Sequence, residues 1–405
     1  MSNQHLDQAA KLEGFLKLDP NNANLLGELA DCYHRGGNQE RALEIYDQLI
    51  SLRGETPALL NAKGSALLAM GRWQDAAKFL EKAVAADRNA APLLFNLGYA
   101  QLGAGAMKEA ISNLARAAEI KADDPRIRYL LAVAHDGVGD SDKAERELAQ
   151  VIELEPNHHD ALTFSAHLQM AKGRIAQARK TLERAVEAHP GSADALWLRA
   201  QLEMLAFDAA KALEYLRLAE ALAADDADIP IAIAQANLML QRAAAARQAA
   251  LRAVALDPEE PTARMVLGWA YLFEDDLSQA ERSFSETLRL DPRQADAQAG
   301  SALIALGRND LPRAREALQR AKLIDPANPA VLLTESALAN KQGNPELARR
   351  VLEELMSANS LGQAGWTNRE LMERGAQSAT LRRVRNKWTR HMRRERRARA
   401  KTRGF

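Results

Sequence analysis

The residues best suited to chemistry in this chain are the arginines of its last twenty-five positions. Residues 381–405, LRRVRNKWTRHMRRERRARAKTRGF, hold 12 Lys or Arg against one Glu, and ten of the twelve are Arg. A guanidinium group pairs with two phosphate oxygens and stacks on a flat base, which an ammonium group does less well. Leu381, Val384, Trp388 and Met392 recur at helical spacing, which predicts a basic amphipathic helix in the presence of a partner.

This segment predicts a polyanion-binding tail, and three kinds of partner remain open for it. The first is RNA or DNA, with Trp388 as a stacking group. The second is an acidic protein surface, including this chain's own body or another copy of the chain, and anionic lipid ranks last. The candidate contact residues are Arg382, Arg383, Arg385, Lys387, Trp388, Arg390, Arg393, Arg394, Arg396, Arg397 and Arg399.

The charge of the chain is divided between its two parts. Residues 363–405 hold 14 basic and 3 acidic side chains, whereas residues 1–362 hold 40 basic and 51 acidic ones. The formal net charge of zero therefore combines an acidic body with a basic C-terminal segment.

No other residues form a convincing catalytic or metal site. His158, His159 and Asp160 are adjacent in sequence, and three consecutive residues cannot all converge on one ion. The sequence contains no HExxH motif, no paired CxxC and no P-loop, and Gly103 and Gly105 fit a helix turn better than a phosphate loop. We expect no catalytic residue, no bound metal and no cofactor, and hence a binding protein rather than an enzyme.

A repeat of thirty-four residues indicates the elements that position these groups. Ten alanines recur at intervals of thirty-four residues. Another small residue lies twelve positions before each of them, from Ala30 to Ser336. Columns without bulky side chains indicate close helix contacts, as in a solenoid of helical hairpins whose neighbours share a core. The ten alanines are Ala42, Ala76, Ala110, Ala144, Ala178, Ala212, Ala246, Ala280, Ala314 and Ala348.

The repeat divides the chain into four parts. Residues 1–22 are predicted to form a half-repeat capping helix, and residues 23–362 ten gapless repeats, each a first helix, a turn often containing glycine, and a second helix. Residues 363–380 are predicted to form a C-terminal capping helix, and residues 381–405 the basic tail. The ten repeats begin at Ala23, Pro57, Ala91, Pro125, His159, Ala193, Ala227, Pro261, Ala295 and Pro329.

This pattern resembles the tetratricopeptide repeat. The family's small, aromatic, alanine and proline positions are matched by Gly268, Tyr271, Ala280, Phe284 and Pro292, and in the first repeat by Ala30, Tyr33, Ala42 and Tyr46. The resemblance implies an all-α fold, an α-solenoid in the form of a right-handed superhelix with capping helices. It also implies that the first helices line a concave groove.

The family's groove positions, carried over residue by residue, predict an apolar and aromatic surface that binds a segment of another protein. Tyr, Trp and Met suit such a surface because they bury a large area or adapt their shape. The alternative is that several of these side chains pack between adjacent first helices. The predicted groove residues are Phe95, Tyr99, Leu102, Tyr129, His167, Met170, Trp197, Gln201, Met204, Met265 and Trp269.

We therefore expect a protein-binding scaffold or adaptor whose tail adds an electrostatic contact. The alternative is an RNA- or ribosome-associated, or DNA-associated, accessory protein in which the tail is the main binding site. A single cysteine, Cys32, a charged N-terminus and the absence of a long apolar run predict a cytoplasmic location. The sequence leaves the oligomeric state open.

Overall fold

A computed structural model describes residues 2–361 of the chain, and its described residues form helices without any strand. The helices are α1 (Ser2–Leu16), α2 (Ala23–Arg35), α3 (Gln39–Arg53), α4 (Pro57–Ala69), α5 (Trp73–Ala86), α6 (Ala91–Ala104), α7 (Met107–Ile120), α8 (Pro125–Gly137), α9 (Ser141–Leu154), α10 (His159–Ala171), α11 (Ile175–Ala188), α12 (Ala193–Leu205), α13 (Ala209–Leu222), α14 (Asp228–Met239), α15 (Ala243–Leu256), α16 (Pro261–Phe273), α17 (Leu277–Leu290), α18 (Ala295–Gly307), α19 (Leu311–Ile324), α20 (Pro329–Lys341) and α21 (Pro345–Leu361).

The helices after α1 follow the ten predicted repeats, two helices to a repeat. The two helices of a repeat pack against each other, as α2 does on α3 and α16 on α17, and α1 packs on α2. The chain forms two compact units whose boundary falls inside α10. We call residues 2–161 the N-terminal body and residues 162–361 the C-terminal body. The all-α solenoid predicted from the sequence is confirmed.

The two columns of small residues lie inside the helix contacts. The alanines from Ala42 to Ala348 are at most 2% exposed. A Cβ atom added to Gly98 would lie 2.5 Å from Cγ of Leu114, and one added to Gly268 would lie 2.7 Å from the ring of Phe284. These glycines are required by the close approach of the two helices of one repeat.

The turn inside each hairpin has the same left-handed residue in all ten repeats. Six of these residues are glycines, such as Gly105 with a φ of 83°. The other four are Phe207, Gln241, Asp275 and Asn309, with φ between 55° and 62°. The shared turn therefore overrides the preference of ordinary side chains for negative φ, at a cost of about 1 kcal/mol per residue.

Polar caps fix where the second helices begin. The side chains of Asp140, Asp208, Asp276 and Asp310 accept hydrogen bonds from the backbone N–H three residues later, at 3.0–3.2 Å. Each bond satisfies a donor that the first helical turn leaves without a partner. The start of α14 departs by one residue from the pattern of the other first helices, because Pro230 lies in its first turn.

Candidate functional site

Two aromatic side chains of a first helix and one of a second helix form a cluster in the N-terminal body. Phe95 and Tyr99 of α6 stack with ring centroids 6.3 Å apart, and the edge of Trp73 from α5 meets Tyr99 at 5.9 Å. The guanidinium of Arg126, at the start of α8, lies 5.7 Å from the centroid of Phe95. Phe95 and Tyr99 are half-buried, so part of each ring faces solvent. The cluster offers a flat apolar surface with a cation beside it.

Tyr129 of α8 extends this surface towards the end of the N-terminal body. Its ring stacks on His158 with the centroids 5.6 Å apart, and it is half-buried. Asp136 lies two helical turns further along the same side of α8 and accepts a hydrogen bond from Ser141 Oγ at 3.3 Å. Burial raises the pKa of Asp136 to about 6, a shift that the Ser141 hydrogen bond opposes. Leu102 of α6, another of the predicted groove residues, lies in the core at 7% exposure and offers little surface to a partner.

In the C-terminal body, the predicted residues divide into half-buried and buried ones. His167, Trp197, Gln201, Met204, Met265 and Trp269 are half-buried, whereas Met170 is only 6% exposed. For Met170 and Leu102, packing between helices accounts for the side chain, as the alternative interpretation of the sequence anticipated.

Two tryptophans on this surface are held in fixed orientations. Nε1 of Trp197, on α12, donates a hydrogen bond to the backbone oxygen of Asp228 at the start of α14, at 3.3 Å. Trp269, on α16, meets the ring of Phe284 edge to face at 5.6 Å. Each indole is therefore held in a fixed orientation while it is half-buried, which lowers the entropy lost when a partner covers it.

The structure adds one residue to this surface that the sequence argument missed. Leu333 lies on α20 at the repeat position of Phe95, Tyr129, Trp197 and Met265, and it is 49% exposed. The 34-residue register could have identified it. Exposure at these positions depends on the neighbouring repeat, so the sequence could not separate the accessible members of each column from the packed ones.

A buried ionic cluster lies at the inner side of α12. The carboxylate of Glu203 is 2.7 Å from Arg179 Nη1, 3.4 Å from Arg199 Nε and 3.8 Å from Lys211 Nζ. Both Glu203 and Arg199 are buried, and Arg199 also reaches Glu183 at 3.2 Å. The cluster joins α11, α12 and α13, so its contacts indicate a structural role.

Other chemistry is sparse in the part of the chain that the structure describes. Within residues 2–361, no group of three or more His, Cys, Asp or Glu side chains is arranged to hold a metal ion. None of the described helices has both the length and the apolar character that crossing a bilayer requires. Cys32 is buried, and burial raises the pKa of its thiol.

Sequence comparison places these hairpins in a known family. One sequence model described as a tetratricopeptide repeat matches residues 67–134 and 137–202, and a second with the same description matches residues 1–57 and 265–329. The four segments cover more than half of the chain. The chain is a tetratricopeptide-repeat protein. A search with the sequence among curated proteins found no significant match.

Comparison with solved structures found similar chains, one of them with a TM-score above 0.5. The Cut9–Hcn1 hetero-tetramer of the APC/C is 15% identical and has a TM-score of 0.52, with 96% of this chain and 84% of that chain covered. Yeast Tom70 is 14% identical with a TM-score of 0.44, over 93% of this chain and 92% of that chain. YrrB, a TPR protein with an unusual peptide-binding site, is 23% identical with a TM-score of 0.41, over 47% of this chain and 98% of that chain.

A tetratricopeptide-repeat fold supports a role as a protein–protein interaction scaffold, and repeat proteins of this kind are typically not enzymes. The predicted C-terminal capping helix, residues 363–380, and the basic tail, residues 381–405, lie outside the described residues.

Proposed function

We propose that this protein is an adaptor that captures a segment of another protein on the surface of its first helices. The observation on which the proposal depends is the set of half-buried aromatic and methionine side chains at equivalent first-helix positions within each body, including Tyr129 in the N-terminal body and Trp197, Met265 and Trp269 in the C-terminal body. Anchored aromatic residues of this kind supply most of the binding energy at protein interfaces. The arginine-rich tail adds a contact to a polyanion or an acidic partner, and the two contacts on one chain reinforce each other.

Alanine substitutions of the anchors test the groove. Tyr129→Ala, Trp197→Ala and Trp269→Ala are each expected to reduce capture of the partner from a native extract at least tenfold, since truncation of an interface anchor costs about 2 kcal/mol. Phe207→Ala is the matched control, because Phe207 is an exposed aromatic residue in a hairpin turn and not on the first-helix surface. Equal capture by all four variants would contradict the proposal.

A gentler pair of variants separates lost binding from lost folding. Leu333 on α20 is 49% exposed and Leu218 on the second helix α13 is 56% exposed, so a charge at either position costs little stability. Leu333→Glu should weaken partner capture while Leu218→Glu should leave it unchanged. Circular dichroism of both variants verifies that the helices remain intact.

A second candidate function rests on the arginine content of the tail. In an RNA- or DNA-associated accessory protein, the tail would be the main binding site. A gel shift compares the full chain with a chain ending at Ala376 at two salt concentrations. Nucleic-acid binding requires a shift that only the full chain gives. The binding affinity should fall by about 0.9 log units per duplex phosphate contact for each tenfold rise in salt. A full chain that gives no shift excludes this function.

A further inference from the structure

The turn ends of three consecutive hairpins in the C-terminal body expose large apolar side chains. Phe207, in the turn between α12 and α13, is 71% exposed. Met239 and Phe273, the last residues of α14 and α16, are 42% and 61% exposed. Contacts between α13 and α14 and between α15 and α16 hold the three hairpins side by side, so their turns lie about 10 Å apart. We call these three residues the apolar edge.

In other repeats, the last position of the first helix is small or polar, and a bulky neighbour can cover it. A Cβ atom added to Gly103 would lie 2.3 Å from the ring of Trp73, which belongs to the second helix of the preceding repeat. The residues equivalent to this tryptophan before the seventh and eighth repeats are alanines, Ala209 and Ala243. Because alanine covers little area, the methionine and phenylalanine that follow stay exposed.

Phe207 combines exposure with an unfavourable backbone conformation. Its φ is 59°, in the left-handed region where six of the ten hairpin turns have glycine. A bulky residue is uncommon there, because its Cβ atom approaches the backbone carbonyl. Packing within the hairpin offers little compensation, since most of the ring is exposed. Backbone strain and exposed apolar area both concentrate at functional surfaces.

The three turns that hold the apolar edge have an excess of negative charge. Their acidic residues are Asp208, Glu274, Asp275 and Asp276, against one basic residue, Arg242. All five are exposed. An excess of carboxylates beside an apolar surface fits a ligand whose apolar stripe is flanked by cations.

Most of this negative charge is not neutralised by other groups of the chain. Glu274 is the exception, because its Oε2 lies 2.7 Å from Arg247 Nε. Asp208 and Asp276 accept hydrogen bonds from backbone N–H groups at 3.0 and 3.1 Å, which leaves the charge of each carboxylate in place. Within the described residues, neither of them nor Asp275 forms an ion pair with a basic side chain. Three carboxylates are therefore available to a ligand.

The size and spacing of the apolar edge favour a short helix over a second copy of the chain. With about 200 Å² for each whole side chain, the three exposed fractions amount to about 350 Å². A stable dimer needs about 800 Å² on each partner. Seven residues of an α-helix rise by about 10.5 Å, which matches the distance between successive turns. A helix with an apolar residue at every seventh position can therefore place one on each hairpin.

We propose that the apolar edge is a docking site for a short amphipathic helix of another protein, with Lys or Arg on both sides of its apolar stripe. The helix lies across the turns of the sixth, seventh and eighth repeats, with its cations beside the three available carboxylates. This site goes beyond the proposed groove, because it is formed by turns and by the last residues of first helices. It gives the protein a second, separate contact.

Fluorescence anisotropy with a synthetic helix tests the site on the full chain. The probe is a labelled fifteen-residue peptide with leucine at positions 1, 5, 8, 12 and 15 and lysine or alanine elsewhere. A second peptide has glutamate in place of every lysine. The lysine peptide should bind saturably below about 1 mM and at least about tenfold more tightly than the glutamate peptide. Its affinity should fall as the salt concentration rises, because salt screens exposed charges.

Substitutions of the apolar edge separate lost binding from lost folding. Phe207→Gly should lower the affinity for the lysine peptide at least about tenfold. The urea midpoint of this variant should be unchanged or higher, because glycine accepts the left-handed backbone without strain. Phe273→Ser should also lower the affinity at least about tenfold. Leu218→Ser, at a 56% exposed leucine of the second helix α13, is the matched control and should leave the affinity unchanged.

Two charge variants should act in opposite directions. Asp275→Asn removes a carboxylate and keeps a side chain that tolerates positive φ, so it should weaken binding of the lysine peptide about twofold to fivefold. Arg242→Gln removes the one cation of the three turns and should strengthen binding by a similar factor.

Several results would overturn the proposal. They are no saturable binding up to about 1 mM, equal affinities of the lysine and glutamate peptides, and affinities unaffected by Phe207→Gly and Phe273→Ser. A dimer of the protein in analytical ultracentrifugation that Phe273→Ser dissociates would assign the apolar edge to a second copy instead. Trp269→Ala should leave peptide binding unchanged, as Phe207→Ala leaves capture by the groove unchanged, so the two sites can fail independently.

Discussion

The contact between Phe284 and Gly300 provides the sharpest test of how neighbouring repeats fit together. Phe284 of α17 is fully buried, and a Cβ atom added to Gly300 of α18 would lie 2.4 Å from two of its ring carbons. Ordinary contacts of a Cβ atom begin at 3.4 Å, so the ring or the helix must move by about 1 Å to accept an alanine. Leucine occupies the position equivalent to Phe284 in several other repeats, including Leu114 and Leu148.

We expect strong coupling between Gly300→Ala and Phe284→Leu. Gly300→Ala alone should destabilise the C-terminal body by about 1–2 kcal/mol, because overpacking of about 1–3 kcal/mol exceeds the gain of up to about 1 kcal/mol from replacing a helical glycine. Phe284→Leu alone should cost about 1–2 kcal/mol through the cavity that it leaves. The double variant should recover at least about 1 kcal/mol relative to the sum, since the alanine fills space that the smaller side chain vacates.

Urea unfolding followed by circular dichroism and tryptophan fluorescence measures these values. Trp269 touches the Phe284 ring and reports on this site, and equal m-values across the four proteins establish that the unfolded reference is the same. Gly307→Ala is a suitable control, because an added Cβ there is 3.5 Å from its nearest neighbour, Leu277. Strictly additive effects of the two substitutions would refute the idea that the volumes of adjacent repeats are matched.

Two further substitutions probe buried charge. The pKa of Asp136, about 6 in the folded protein, lies above its ordinary value, so the protonated form is favoured by folding and stability should fall as pH rises from about 4 to about 6. Asp136→Asn should remove this slope and raise the stability at pH 7 by about 2 kcal/mol, measured by urea unfolding at pH 4 and pH 7. Glu203→Gln should destabilise the protein by about 3 kcal/mol in the same assay, because buried Arg199 loses a charged partner. Glu183→Gln, which alters a half-exposed partner of Arg199, should cost less than about 1 kcal/mol, and a cost equal to that of Glu203→Gln would contradict this account.

The repeat period allowed the fold to be predicted because small residues in fixed register admit few other packings. The ten alanines and the glycines such as Gly98 predicted the helix contacts, and their burial follows. The period did not predict the left-handed turn residue at Phe207 or Gln241, because side chains at those positions give no local signal. There the packing of the two helices on either side fixes the backbone.

The candidate surface was less predictable from the sequence than the fold. The repeat register identified which positions share a face, but it could not separate Leu102, which packs into the core, from Tyr99, whose ring stays partly accessible. That difference depends on the size of side chains in the adjacent repeat.

The connectivity of the helices also has a mechanical consequence. Within each body, the larger helix–helix contacts join a helix to its next neighbour or to the next but one. Each hairpin of a body therefore depends only on contacts with adjacent repeats. A stretching force should therefore separate neighbouring hairpins step by step, and each hairpin should re-form on release without waiting for contacts between distant residues.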